Sequence, residues 1–126
     1  MSIETAIGDR IEAAATALSD RIYPLQIPAG AAFPNAVVQR IATRRDATLG
    51  GPNGVARVRV QVDIFAKTQL QARALADAVR GLLDGFAGTQ SGVVVQDSLL
   101  ENEHDLFDEQ TGIYRTILEF QIRFEE

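Results

Sequence analysis

One run, Val55 to Phe86, constrains this chain more than any other stretch. Ala56, Val58, Val60, Val62 and Ile64 alternate with Arg57, Arg59, Gln61 and Asp63. Successive side chains of a strand leave on opposite faces, so the alternation predicts a half-buried strand of an antiparallel sheet. After Lys67 the period changes. Leu75, Ala78, Val79, Leu82, Leu83 and Phe86 recur at three and four residues, which is one stripe of a helix. Thr68 and Gln71 stand at capping-box spacing, so the change of period has a local mechanism. Each element has one apolar side and the link is short. The helix is therefore expected to fold back over the sheet and start the core. This pattern gives an architecture and no chemistry.

Composition limits the rest. The chain has 126 residues, 46% of them hydrophobic and 23% charged. That is enough for one core, and a single domain over residues 1–126 is expected. There is no cysteine and only one histidine, His104, which removes thiolate and histidine-cluster metal sites. No apolar run approaches the roughly 20 residues that span a bilayer. The first residues carry acids and lack an apolar signal core, so folding in the cytoplasm is expected. The net charge of −5 is unevenly spread. From Gln96 onward there are nine acids and two bases, whereas the preceding residues hold eight acids and ten bases. Such a split is either a solvated acidic surface or a two-sided surface suited to contact between subunits.

Ser2 can cap a helix with the stripe Ile3, Ile7, Ile11, Ala14 and Leu18, running to Ser19 or Asp20. Residues Arg21 to Asn35 hold three of the four prolines and read as an extended connection anchored by Tyr23, Leu25, Ile27 and Phe33. Ala36 to Arg44 reads as a strand, with Val37 and Ile41 on one face, Gln39 awkwardly beside them, and Arg40 and Arg44 on the other. Arg45 to Gly54 is dense in turn residues and should be a long hairpin loop. In that hairpin Arg40 is expected near Arg59 and Ala42 near Arg57. The result is a basic stripe of Arg40, Arg44, Arg57 and Arg59 on the solvent face, unfavourable unless solvated or met by acids. Gly85 and Gly88 end the second helix. Gly92 to Leu100 is a third strand with poor alternation, and Glu101 to Gly112 an acidic connection. Ile113 to Phe124 is a clear strand, with Tyr114, Leu118, Phe120, Ile122 and Phe124 inward. The expected fold class is α+β. Two hairpins make a mostly antiparallel four-stranded sheet with both helices on one face, in the order α-β-β-α-β-β.

Catalytic, cofactor and metal signals are weak. The glycine-rich Gly50 to Gly54 joins two strands and lacks a following helix, so it does not read as a phosphate loop. The acids from Asp97 to Glu109 lack the order and glycine of a calcium loop. His104 would need a nucleophile and an orienting group, and no Gly-x-Ser-x-Gly turn surrounds nearby Ser98. No catalytic residue, cofactor or metal ligand is assigned. The arginine stripe could meet nucleic-acid phosphates, but the chain is acidic and no aromatic residues interleave it.

Four stretches together resemble one family. They are IYPLQIPAGAAFPNAVVQRI, DATLGGPNG, ARVRVQVDIFAKTQLQARALADAVRGLLDGF and ENEHDLFDEQTGIYRTILEFQIRF. In this order of blocks the chain, from about Arg21 to Phe124, is similar to the tail-completion or tail-terminator proteins of long-tailed phages, prophages and gene-transfer agents. The resemblance implies a structural virion protein, not an enzyme. It implies a hexameric homo-oligomeric ring on the head-proximal end of the tail tube. Such a ring stops tube polymerisation, contacts the tail-tube protein and the head-side connector protein, and lets DNA pass through its lumen without specific binding. No membrane is involved. On that reading Arg40, Arg44, Arg45, Arg57 and Arg59, with Glu101, Glu103, Asp105 and Asp108, are the candidate subunit or partner interface. Competing readings are another neck or minor tail protein, a small enzyme using the Asp97–Asp108 acids, and a small binding module.

Overall fold

A computed structural model describes residues 2–14, 18, 21–24, 27–48 and 51–125, with the side chains of 14, 46–48 and 51–53 excepted. The elements are α1 (Ile3–Ala14), β1 (Ile22–Pro24), β2 (Asn35–Thr48), β3 (Gly51–Ala66), α2 (Gln69–Leu83), β4 (Gly88–Gln90), β5 (Val93–Asp108) and β6 (Ile113–Glu125). All strands lie in one sheet ordered β1-β2-β3-β6-β5-β4. β2, β3, β6 and β5 are antiparallel neighbours, β4 is antiparallel to β5, and β1 is parallel to β2.

The expected four-stranded, mostly antiparallel sheet is therefore corrected. The sheet is six-stranded and mixed, curled into a half-barrel, and the element order is α-β-β-β-α-β-β-β. The two added strands, β1 and β4, are three residues long each and lie at the sheet edges. A strand that short carries no readable period. It exists because its backbone groups pair with a longer neighbour, which no local pattern encodes. Two supposed connections are strand as well. β2 and β3 stay paired out to Thr48 and Gly51, and β5 runs on to Asp108. Polar side chains and glycines suggested loops there. The backbone ladder decided otherwise. Leu49, Gly50, Leu25, Ser19 and Asp20, each given a place above, lie outside the described residues.

The core is the face that carries both helices. β3 contributes Ala56, Val58, Val60, Val62 and Ile64, and β6 contributes Leu118, Phe120, Ile122 and Phe124. Ile3, Ile7 and Ile11 of α1 and Leu75, Val79 and Leu83 of α2 close over them. Thr68 caps α2 as its spacing predicts: its hydroxyl accepts from the Gln71 N–H at 3.2 Å. Past the C-cap, the Gly85 N–H donates to the Ser98 carbonyl at 2.6 Å, with Gly85 at φ 81°. The Leu100 N–H donates to Asp84 Oδ1 at 3.0 Å. The end of α2 is thus tied to β5. Arg10 of α1 donates to the Leu82 carbonyl at 2.8 Å and lies over the Phe86 ring, joining the two helices.

Bulges set which side chains reach which face. β2 slips register between Arg40 and Ala42, and β5 slips between Val95 and Asp97 and between Leu100 and Asn102. An extra residue in one strand exchanges the faces of everything beyond it. Ala36 and Val38 face the helices, opposite Ile64 and Val62, so Val37 and Gln39, expected inward, both lie on the outer side opposite Asp63 and Gln61. Beyond Ile41 the parity is reversed. The expected facing of Arg40 on Arg59 is corrected: Arg40 is opposite Val60, Ala42 opposite Arg59, and Arg44 opposite Arg57. Tyr114 is only half-buried and lies against Phe107, ring centroids 4.5 Å apart.

Phe120 is fully buried at the centre of this face. Phe120→Ala should destabilise the fold by about 3–5 kcal/mol, read from the urea midpoint, with the slope unchanged.

Candidate assembly surface

The sheet face away from the helices can be read row by row. One row across it is Arg44 on β2, Arg57 on β3, Arg123 on β6 and Asp97 on β5. The next is Ala42, Arg59, Gln121 and Leu99. Arg57 and Arg59 point outward because they alternate with the core valines of β3. Arg44 joins them because the bulge at Ile41 turns it there. In the first row Arg123 Nε lies 3.8 Å from Asp97 Oδ2. In the second, Arg59 Nη2 lies 3.4 Å from Glu101 Oε2. Like charges on facing strands repel unless solvated or met by acids.

The expected interface residues do not all lie here. Arg40 faces the helix side and pairs with Glu4 of α1. Arg45 is opposite Ala56, on the helix side of the sheet, and both Arg45 and Arg57 have partners. Glu103 and Asp105 also face the helices, opposite Leu118 and Thr116. There Arg73 of α2 gathers them. It pairs with Glu103, lies 3.5 Å from Asp105 Oδ2, and is 3.3 Å from Asp77 on its own helix. The Thr116 hydroxyl donates to Asp105 at 2.7 Å. Glu101 meets Arg59 on the outer face. Asp108 closes the β5–β6 turn: its carboxylate accepts from the Gln110 N–H and its carbonyl from the Gly112 N–H. Gly112 at φ 72° supplies the left-handed turn conformation. Glu103 and Asp105 are thus used inside the chain, and the outward set is Arg44, Arg57, Arg59, Glu101 and Asp108.

Burial is the largest single influence and raises the Glu4 carboxyl, but hydrogen bonds from Arg40, its own backbone N–H and Ser2, with the Arg40 charge, together outweigh it. The net effect holds Glu4 below its ordinary value. Burial lowers Arg73, yet the Glu103 hydrogen bond and the surrounding carboxylates raise it further above its ordinary value.

Sequence reasoning missed the other end of the outer face. Asp63 stands at an outward position of β3 yet is only 3% exposed. Arg115 Nη2 donates to it at 2.6 Å and Gln61 Nε2 at 2.8 Å. Val37 and Ile117 flank it and are also buried. Ile27 and Phe33 of the connection between β1 and β2 share a cavity of about 650 Å³ with Phe65, Leu106, Ile113 and Arg115. That connection therefore lies over the outer face at this end. No alternation signal could show this cover, because it comes from a distant part of the chain.

Ser98 and His104 cannot act together in this fold. Ser98 is buried on the helix side opposite Ile122, and His104 is exposed on the outer side opposite Ile117. Among the described residues no group of three or more His, Asp or Glu side chains is placed to hold a metal ion. No helix among them is long and apolar enough to cross a membrane.

The chain matches the family described as Tail completion protein gp17 over residues 9–125, and it belongs to that family. No curated protein sequence matches it. Among solved structures, a chain of "Virion of native gene transfer agent (GTA) particle" superposes with a TM-score of 0.75 at 17% identity, covering 99% of this chain and 96% of that chain. At that identity the likeness is one of fold. Family membership makes this chain a structural protein of the virion tail, as the resemblance in its sequence blocks implied.

Because Glu4 is held below its unfolded value, its contribution is full above the unfolded pKa and is lost as pH falls through the folded one. Glu4→Gln should cost about 1 kcal/mol at neutral pH, and the wild-type and variant urea midpoints should converge as pH falls below the ordinary carboxylate value of 4.5.

Proposed function

We propose that this tail protein caps the head-proximal end of the tail tube as a hexameric ring, stops tube polymerisation and joins the tail to the head. The observation that carries the reading is family membership over residues 9–125. The outer face adds physical support. Arginines on facing strands bring like charges together on an exposed face, and acids of another chain are favourable there. Arg44, Arg57 and Arg59 meet such acids on a neighbouring subunit or on a tail-tube or head-connector protein. Arg40 and Arg45, on the other face, border that contact without forming its centre. Of the acids, Glu101 and Asp108 are exposed and outward, while Glu103 and Asp105 hold α2 to β5. The lumen passes DNA without binding it, which an acidic lining favours through repulsion of phosphate.

Particles made without this protein should show unattached or overlong tails beside filled, tailless heads by electron microscopy. Normally joined particles would refute the capping reading. Arg57→Glu combined with Arg59→Glu should leave the monomer folded by circular dichroism and abolish tail joining. If joining persists, the arginine row is not the contact.

A further inference from the structure

The two edges of this sheet are complementary to each other. β1 covers β2 only at Ala36–Val38, and β4 covers β5 only at Val93–Val95. The rest of β2 and of β5 has no second strand neighbour among the described residues. The register across the sheet gives the relative height of these two open edges. Ala42 is level with Arg59, Gln121 and Leu99, and Arg44 is level with Arg57, Arg123 and Asp97. Large apolar side chains stand exposed on both edges at that same level: Ile41, 48% exposed, at the bulge beside Ala42, and Leu99, 56% exposed. One step further along, a base on one edge, Arg44, matches an acid on the other, Asp97.

We infer that the β2 edge of one copy packs against the β5 edge of a second copy, placing Ile41 on Leu99 and Arg44 on Asp97. The inference rests on the ring reading and names the contact that would build it. Three features of the chain favour a second copy as the occupant. Apolar matches apolar, base matches acid, and within each match the two residues stand at the same height. Rotation about an axis along the strands preserves height, so a heterologous contact of this kind repeats around a closed ring. The two strands run in opposite directions, so the neighbouring edge meets β2 antiparallel. The bulges at Ile41 in β2 and near Gln96 and Glu101 in β5 interrupt any long backbone ladder. Side chains therefore carry the contact. The same bulges and charges block indiscriminate strand addition at these edges.

The chain has no cysteine, so Ile41→Cys and Leu99→Cys can be joined by a short bis-maleimide. In concentrated protein, alone and mixed with tail tubes, the double variant should give a ladder of covalent multimers on a denaturing gel. Each single variant should run as a monomer. Asp97→Arg should weaken self-association roughly tenfold or more by light scattering, and adding Arg44→Asp should restore it. Multimers in solution or on tubes without a ladder from the double variant overturn this contact and leave the ring reading standing. A protein that stays monomeric at every concentration and never associates with tubes overturns both. Failure of the charge swap to restore association overturns the Arg44–Asp97 pairing.

Discussion

The β3–β6 pairing is the constraint on which the rest of the structure depends. It runs in unbroken register from Val55 opposite Glu125 to Ala66 opposite Tyr114. Valines at Val58, Val60 and Val62 meet Ile122, Phe120 and Leu118 directly across the ladder. β-branched and aromatic pairs on a pleated surface are favourable, and here every such pair is also buried beneath a helix. The strands to either side contain bulges, and this central pair does not. It gives the sheet a fixed reference, so that slips in β2 and β5 change the exposure of individual side chains without disturbing the core.

Those slips distribute the charges. Without the bulge at Ile41, Arg44 would share a face with Arg40. With it, Arg40 reaches α1 and Arg44 joins the outer row. On the opposite side of the sheet, the bulge near Glu101 separates two acidic neighbours by function. Glu101 stays outward against Arg59, while Glu103 turns in to Arg73. A strip of sequence that looks uniformly acidic is therefore part surface and part interior fastening. The distinction matters for an assembling protein, because only the outward charges are available to a partner.

The fold survives large sequence divergence for the same reason. A chain 17% identical superposes over nearly the whole length. What a curled sheet with two covering helices requires is alternation in its central strands and one apolar stripe in each helix. Many sequences meet those conditions. Surface rows and edges are freer to change with the partners they meet, which fits a virion protein whose role is contact with other chains.

Sequence alone determined the central strand, its covering helix and the last strand, because each has a long period that only one secondary structure satisfies. It also determined the family, through the order of its blocks. The tertiary structure decided the remainder. Three-residue edge strands owe their existence to a neighbour's backbone, and so leave no local trace. Bulges occupy single positions, and nothing near Ile41 or Glu101 announces that the faces exchange there. Asp63 reads as solvent-facing by alternation and is buried where Arg115 of a distant strand pairs with it. Local periodicity fixes which way a side chain leaves its own strand, and only the packing of distant segments fixes what it meets there.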